Sequence, residues 1–418
     1  MSEYFETLRG LITPSDCDEN AVITSSALSA CMADATAHAL HTLGLGPRQM
    51  RQSRERVRLI HEHLDRQFDL GPGDIFHVES TLLSTDQEAH ILEHRMIDSA
   101  GGAISCVART QVTAPPLPQT ETAEPADQVG VETYRGRVSS AQCDQMRHMN
   151  VQYYMEKNSQ ALAQIGNMLG LGKGFYPQTE RILFERELYA GDVLVMRSAI
   201  RQVEDDRVHV ASQLLNGENG DVAARFETVA RLWNPADGAL QPLSSGVRKL
   251  ALSFAPATED DFPLPRPITG PRASADVPPN TIVTCRRAVN TWQTDATAGF
   301  VISCVSDAAM HLFTHMGVDH AWRTENDTGS AALDYDIRYH RPMAIGTPVE
   351  AHSRFLETRE KVFRFSHHLC DATDGALTTT VEVTAVLFDL SKRKSVSLPQ
   401  NFHQMALNFG VVKEPTEP

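Results

Sequence analysis

The chain has 418 residues, 41% of them hydrophobic and 22% charged, with a formal net charge of −15 at pH 7. That negative balance, spread along the whole chain, argues against nucleic acid as the main partner and leaves any anionic ligand to be held by local arginines. The seven cysteines (Cys17, Cys31, Cys106, Cys143, Cys285, Cys304, Cys370) have no disulfide-framework or metal-type spacing, Met1–Gly10 has no signal-peptide core, and no apolar run nears spanning length; a soluble cytoplasmic protein with no membrane partner is expected.

The first predicted segment is repeated. Leu8–Gly46 aligns without gaps on Tyr134–Gly172, and Arg9, Gly10, Cys17, Asp18 and the run Leu43-Gly44-Leu45-Gly46 all recur. Farther on, Gly73 precedes Gly102 by 29 residues, with Gly101-Gly102 marking a hairpin turn between alternating runs. The Pro-rich stretch from Ala114 to Val129 reads as an extended linker.

In the next segment Tyr134–Val138 reads as a short strand leading to the polar loop that begins at Cys143 and holds Asp144, Arg147, His148 and Asn150. After Asn150 the apolar residues Val151, Tyr154, Ala161, Leu162, Ile165 and Leu169 fall at helical spacing, and the helix is expected to end at Gly170. Asn150 is of N-cap type, and so is Thr24 at the aligned place. Alternating strands then run from Val193 to Leu232, and Gly191 again precedes Gly220 by 29 residues.

A second Pro-rich linker, from Ala255 to Asn280, precedes a third segment in which Gly346 lies 29 residues before Gly375 and strands read Val349–Phe355, Phe363–Leu369 and Val381–Leu387. Upstream of each glycine pair, at a looser distance, stands a loop aspartate: Asp18, Asp144 or Asp295. The chain is read as an α+β protein of three copies of one domain, residues 1–115, 131–243 and 281–400, each an antiparallel sheet wrapped around a central helix.

The middle loop resembles that of the hotdog-fold acyl-CoA thioesterases of the 4-hydroxybenzoyl-CoA thioesterase type. In that family an Asp is followed by Gly-His-Met/Val-Asn and then a Tyr on the central helix; Asp144, His148, Met149, Asn150 and Tyr154 fill those places, while Arg147 replaces the glycine. In the first copy the His and Asn positions are Val22 and Thr24, and the third reads Asp295-Ala-Thr-Ala-Gly299, so both resemble degenerate sites.

The resemblance implies hydrolysis of an acyl-CoA to free acid and CoA. Asp144 would be nucleophile or general base, and N–H groups near Val151 and Gln152 would polarise the thioester carbonyl. Asn150 would orient the water or the carbonyl, and His148 would protonate the departing thiolate or brace the loop. Arg147, Val151 and Tyr154 complete the substrate side, and Arg181, Arg186 and Arg197 are the cations of that copy. Taken singly, Asp144 is also a turn residue and Asn150 simply an N-cap. The rival function is a non-catalytic acyl-CoA binding or regulatory protein. No cofactor is expected, and no metal, because His61/His63 and His311/His315 lack a completing ligand set. Hotdog units pair, so three copies imply a homodimer through the unpaired one.

Overall fold

The structure is a computed structural model that describes residues 3–54, 56–86, 89–118, 129–144, 146–234, 239–256, 258, 261–267, 269–289, 298–344 and 346–408. The segment read from the sequence as the first copy runs β1 (Phe5–Leu11), α1 (Ser25–Thr42), α2 (Pro47–Ser53), β2 (Arg58–Arg66), β3 (Ile75–Thr85), β4 (Ala89–Asp98) and β5 (Ile104–Thr113). The second runs β6 (Val131–Arg137), α3 (Val151–Met168), β7 (Phe175–Phe184), β8 (Val193–Val203), β9 (Arg207–Asn216) and β10 (Val222–Trp233), followed by β11 (Leu240–Gln241) and α4 (Ser245–Leu252). The third runs β12 (Ile282–Ala288), α5 (Ala298–His315), α6 (His320–Glu325), β13 (Thr328–Tyr339), β14 (Pro348–Thr358), β15 (Val362–Asp371) and β16 (Leu377–Asp389), then β17 (Lys394–Ser395) and α7 (Gln400–Asn408).

The repeated spacings carry repeated geometry. Each central helix has 18 residues. Gly73, Gly191 and Gly346 adopt φ of 82°, 91° and 81°, and Gly102, Gly220 and Gly375 adopt 73°, 74° and 74°, left-handed values that favour glycine. A buried polar chain recurs as well. Thr7 meets Ser80 at 2.6 Å, which meets His94 Nδ1 at 2.6 Å; Thr133 meets Ser198 and Ser198 meets Ser212, each at 2.8 Å; Thr284 meets Ser353 at 2.5 Å, which meets His367 Nδ1 at 2.6 Å.

The chain divides into two compact units. The first comprises Met1–Tyr176, Glu185–Ala224 and Arg231–Pro263, and the second Pro177–Phe184, Arg225–Ala230 and Leu264–Pro418. The central residues of β7 and β10 group with the second unit.

Within the first unit, β1 and β6 meet antiparallel at Arg9 opposite Arg135, residues at equivalent positions of their copies, which marks a local two-fold axis. The polar contacts follow it. Gln164 of α3 donates Nε2–H to Gly10 O at 2.9 Å, and His38, at the same place on α1, donates Nε2–H to Gly136 O. At Gly10 a Cβ would sit 3.2 Å from Gln160 Oε1 and 3.3 Å from Phe76 Cζ. Around α1 the core includes Leu8, Ile12, Ile23, Leu28, Met32 and Phe76.

In the second unit the core is aromatic, with Phe313, Phe355, Phe363, Phe365 and Phe402 at centroid distances of 5.3–6.3 Å. The Pro-rich segment before this copy is fastened at its described residues. Arg364 donates to Thr269 O and Pro271 O at 3.2 and 2.7 Å, and Arg272 bridges Asp336 and Glu382 at 2.6 and 3.0 Å.

Candidate active site

The loop before α3 is shaped by its aspartate. Asp144 Oδ1 accepts N–H bonds from Met146 at 2.8 Å and His148 at 3.1 Å, and two bridges close the loop, Cys143 to Met149 and His148 to Tyr189. The first copy builds the same loop: Asp18 Oδ1 accepts from Asn20 at 2.9 Å and Val22 at 3.0 Å, and Cys17 bridges Ile23. Both loops need a left-handed residue before the His/Val position. Arg147 supplies it at φ 67° and Ala21 at φ 61°, where glycine would fit at lower cost.

Asp144 is exposed, and its Oδ1 is engaged in the loop. His148 is half-buried, with Nδ1 3.3 Å from Glu187 Oε1 and its ring edge-on to Tyr189 at 5.0 Å. Tyr189 OH donates to Glu187 Oε2 at 2.9 Å, so one carboxylate holds both rings. Asn150 caps α3: its Oδ1 accepts the Gln152 N–H at 3.2 Å. The Gln152 N–H expected to polarise a carbonyl is therefore engaged, and the Val151 N–H is the first-turn donor that remains. Tyr154 is buried, its OH donates to Arg186 O at 3.4 Å, and burial pushes its phenol well above the ordinary range.

Beside the loop opens a cleft of about 1150 Å³ lined in part by Arg48, Arg51, Arg147 and Arg186. Arg51 pairs with Asp192 at 2.6 Å and Arg186 with Asp221 at 3.1 Å, while Arg147 is exposed. Arg48 and Arg51 come from α2 of the first copy; the second copy has only the short turn Gly172–Gly174 there. Two further cations of that copy lie elsewhere: Arg181 binds Glu227 at 2.8 Å, and Arg197 donates to Val129 O at 2.8 Å.

Sequence reasoning missed Glu187, Tyr189, Arg48 and Arg51. The first two stand just ahead of the Gly191-Asp192 turn, which was a usable signal; the α2 arginines come from another copy and left none. Asp295 lies outside the described residues. Among the described residues, no group of three or more His, Cys, Asp or Glu side chains is placed to hold a metal ion, and no helix is long and apolar enough to cross a membrane.

The profile of the family described as the Thioesterase-like superfamily matches residues 12–125 and 289–405, more than half of the chain. The chain belongs to the thioesterase-like superfamily. The matched stretches fall on the first and third copies, and the fold is the hotdog arrangement of that superfamily.

Solved structures similar to this superfamily member include three thioester hydrolases. A provisionally assigned oleoyl thioesterase from Lactobacillus plantarum is 12% identical with a TM-score of 0.47, covering 67% of this chain and 100% of its own. The 12:0-ACP thioesterase from Umbellularia californica is 11% identical with a TM-score of 0.44, covering 61% and 96%. An acyl-CoA hydrolase from Agrobacterium tumefaciens is 17% identical with a TM-score of 0.42, covering 57% and 98%. No curated protein matches the chain.

Proposed function

We propose that the chain is a cytoplasmic acyl-CoA thioesterase of the 4-hydroxybenzoyl-CoA type, built as three tandem hotdog domains and working at the loop of the middle copy. The observation that carries this reading is the company of Asp144. Of the two loops related by the local axis, the Asp144 loop also has the His148–Glu187 pair, at 3.3 Å, and an arginine-bearing cleft; the other has Val22 and Ala21 at the places of His148 and Arg147.

In this reading Asp144 either attacks the thioester carbonyl, giving an anhydride that water hydrolyses, or takes a proton from an attacking water. The C–S bond breaks, and CoA leaves as thiolate and picks up a proton. The Val151 N–H faces the developing oxyanion, assisted by the helix dipole. His148, oriented by Glu187, protonates the leaving thiolate or supports the loop. Arg147 and its neighbours hold the anionic end of CoA, and Tyr154 packs on the substrate side.

Free-thiol release from short, medium, aromatic and cationic acyl-CoAs, with wild type and Asp144→Asn in parallel, tests the proposal. Turnover lost in the variant supports it, and turnover near wild type removes Asp144 from the chemistry. Tight acyl-CoA binding without turnover would move the assignment to a non-catalytic binding protein. Single turnover in ¹⁸O water that places label in the Asp144 carboxylate would mark the anhydride route, since general-base catalysis leaves that carboxylate unlabelled. The odd number of copies also leads us to propose a homodimer.

A further inference from the structure

No spacing in the sequence marks a cysteine pair, yet folding brings two of the seven thiols together. Cys285 lies on β12 and Cys304 on α5, which packs against that strand. The Cys304 thiol donates a hydrogen bond to Cys285 Sγ. Arg287 pins the same two elements: its guanidinium donates to Ser303 Oγ at 2.6 Å and Asp307 Oδ2 at 3.4 Å, and lies 5.7 Å from the centre of the Phe300 ring. Cys285 and Arg287, two apart on the strand beyond its bulge, share a face, and the partners of Arg287 bracket Cys304 on the helix.

The equivalent positions of the other two segments also meet. Cys285 stands opposite Ala351, five residues beyond Gly346; Tyr134 stands opposite Met196 and Leu8 opposite Val78, each five beyond its own glycine, Gly191 or Gly73. Cys304 holds the seventh place of its helix, as Lys157 and Cys31 do of theirs. Lys157 Nζ lies 5.1 Å from the centre of the Tyr134 ring, and Cys31 packs against the core cluster that contains Leu8. One strand position thus faces one helix position in all three segments, and only the last fills both with cysteine.

The two thiols are unequal. Cys285 is half-buried and within reach of a small molecule, while Cys304 is 1% exposed. The hydrogen bond from Cys304, supported by the Arg287 guanidinium, holds the Cys285 thiol below its ordinary range, whereas burial pushes Cys17, Cys31, Cys106, Cys143 and Cys370 up. Thiolate is the attacking species in disulfide exchange, so Cys285 is the thiol prepared to react first.

We propose that Cys285 and Cys304 are a redox-active pair that closes to a disulfide on meeting a low-molecular-weight disulfide. Cys285 Sγ attacks one sulfur of the oxidant, breaks its S–S bond and expels one half, leaving a mixed disulfide on Cys285. Cys304 Sγ then attacks Cys285 Sγ and expels the second half. The protons of the two protein thiols pass to the two expelled sulfurs, so the protein is oxidised by two electrons and the oxidant is reduced to two thiols. The new bond ties β12 to α5, and excess thiol reopens it, the behaviour of a transient disulfide in a reducing compartment.

The test is exposure of the full chain to glutathione disulfide, followed by alkylation of the remaining thiols and peptide mass mapping. Two of the seven cysteines should become resistant to alkylation, with one cross-linked peptide joining Cys285 to Cys304, and dithiothreitol should restore both. Cys304→Ser should stop at a glutathione adduct on Cys285, and Cys285→Ser should leave Cys304 unmodified, each with a thermal midpoint near that of wild type. The wild-type map needs no substitution, so it decides even if a variant misfolds. Seven alkylated cysteines after exposure would overturn the proposal, as would a wild type that keeps a glutathione adduct on Cys285 or joins a different pair.

Discussion

Arg147→Gly separates two physical roles of one residue. Arg147 stands at φ 67°, a conformation that costs an L residue on the order of 1–2 kcal/mol, and glycine relieves that cost while losing about 0.5–1 kcal/mol to the freedom of its unfolded chain. The expected balance is a gain of about 0.5–1 kcal/mol, read as a higher urea midpoint at unchanged m-value. The same change removes a cation from the cleft beside the loop. At the high effective dielectric of an exposed site this is worth roughly 1 kcal/mol, so KM for an acyl-CoA should rise about fivefold while kcat holds. Ala21→Gly, at φ 61° in the twin loop, should give the stability gain without the KM change, and Arg147→Ala should give the KM change without the gain. Urea titrations in which both glycine variants lose stability would refute the strain argument; an unmoved KM would refute the charge argument.

Other expectations follow from the same contacts. Asp144→Asn keeps an oxygen for the Met146 and His148 N–H groups, so turnover should vanish at unchanged stability; Asp144→Ala should also lose about 1–2 kcal/mol in urea titration. Ala309 occupies on α5 the twelfth place that Thr36 holds on α1, where its hydroxyl meets His94 Nε2 at 3.1 Å, while buried His367 Nε2 has no partner among the described residues. Ala309→Thr should therefore raise stability by about 1 kcal/mol, and Thr36→Ala lower it by as much, both by denaturant midpoint. Burial pushes His38, His94 and His367 down from 6.5 to about 3, about 4 and about 3. Unfolded, each takes up a proton as pH falls through about 6.5; folded, each resists it. Their contribution is full above that pH and is lost toward pH 4 at up to about 1.4 kcal/mol per unit per histidine, and His38→Gln should flatten a plot of stability against pH.

The helices and hairpins were readable because their determinants are local. Asn150 and Thr24 do cap 18-residue helices, the helix after Asn150 ends just before Gly170, and the glycines spaced 29 apart all take left-handed backbone. What escaped reading depends on neighbours distant in sequence. β7, with Pro177 and Gln178 within it, alternates poorly, and its pairing with β13 is with a strand about 150 residues away that local pattern does not reveal. Residues 177–184 and 225–230, inside the span 131–243, group with the second unit, a grouping set by partners distant in sequence. At the site, Asp144, His148 and Arg147 were visible as a motif, but Glu187, Arg48 and Arg51 reach it only through folding. The family match falls on residues 12–125 and 289–405, stretches whose loops depart most from the motif.

The axis through Arg9 and Arg135 has an evolutionary meaning. In a dimer of identical chains every substitution lands twice, so neither loop can drift without its mate. Joined in one polypeptide, the two are inherited separately. Ala21 and Val22 could settle into one while Arg147 and His148 stood in the other, and α2 could grow on one side of the axis alone, carrying arginines toward its neighbour. In the proposed reading, two loops joined in one polypeptide leave a symmetric scaffold free to keep one loop for structure and the other for chemistry.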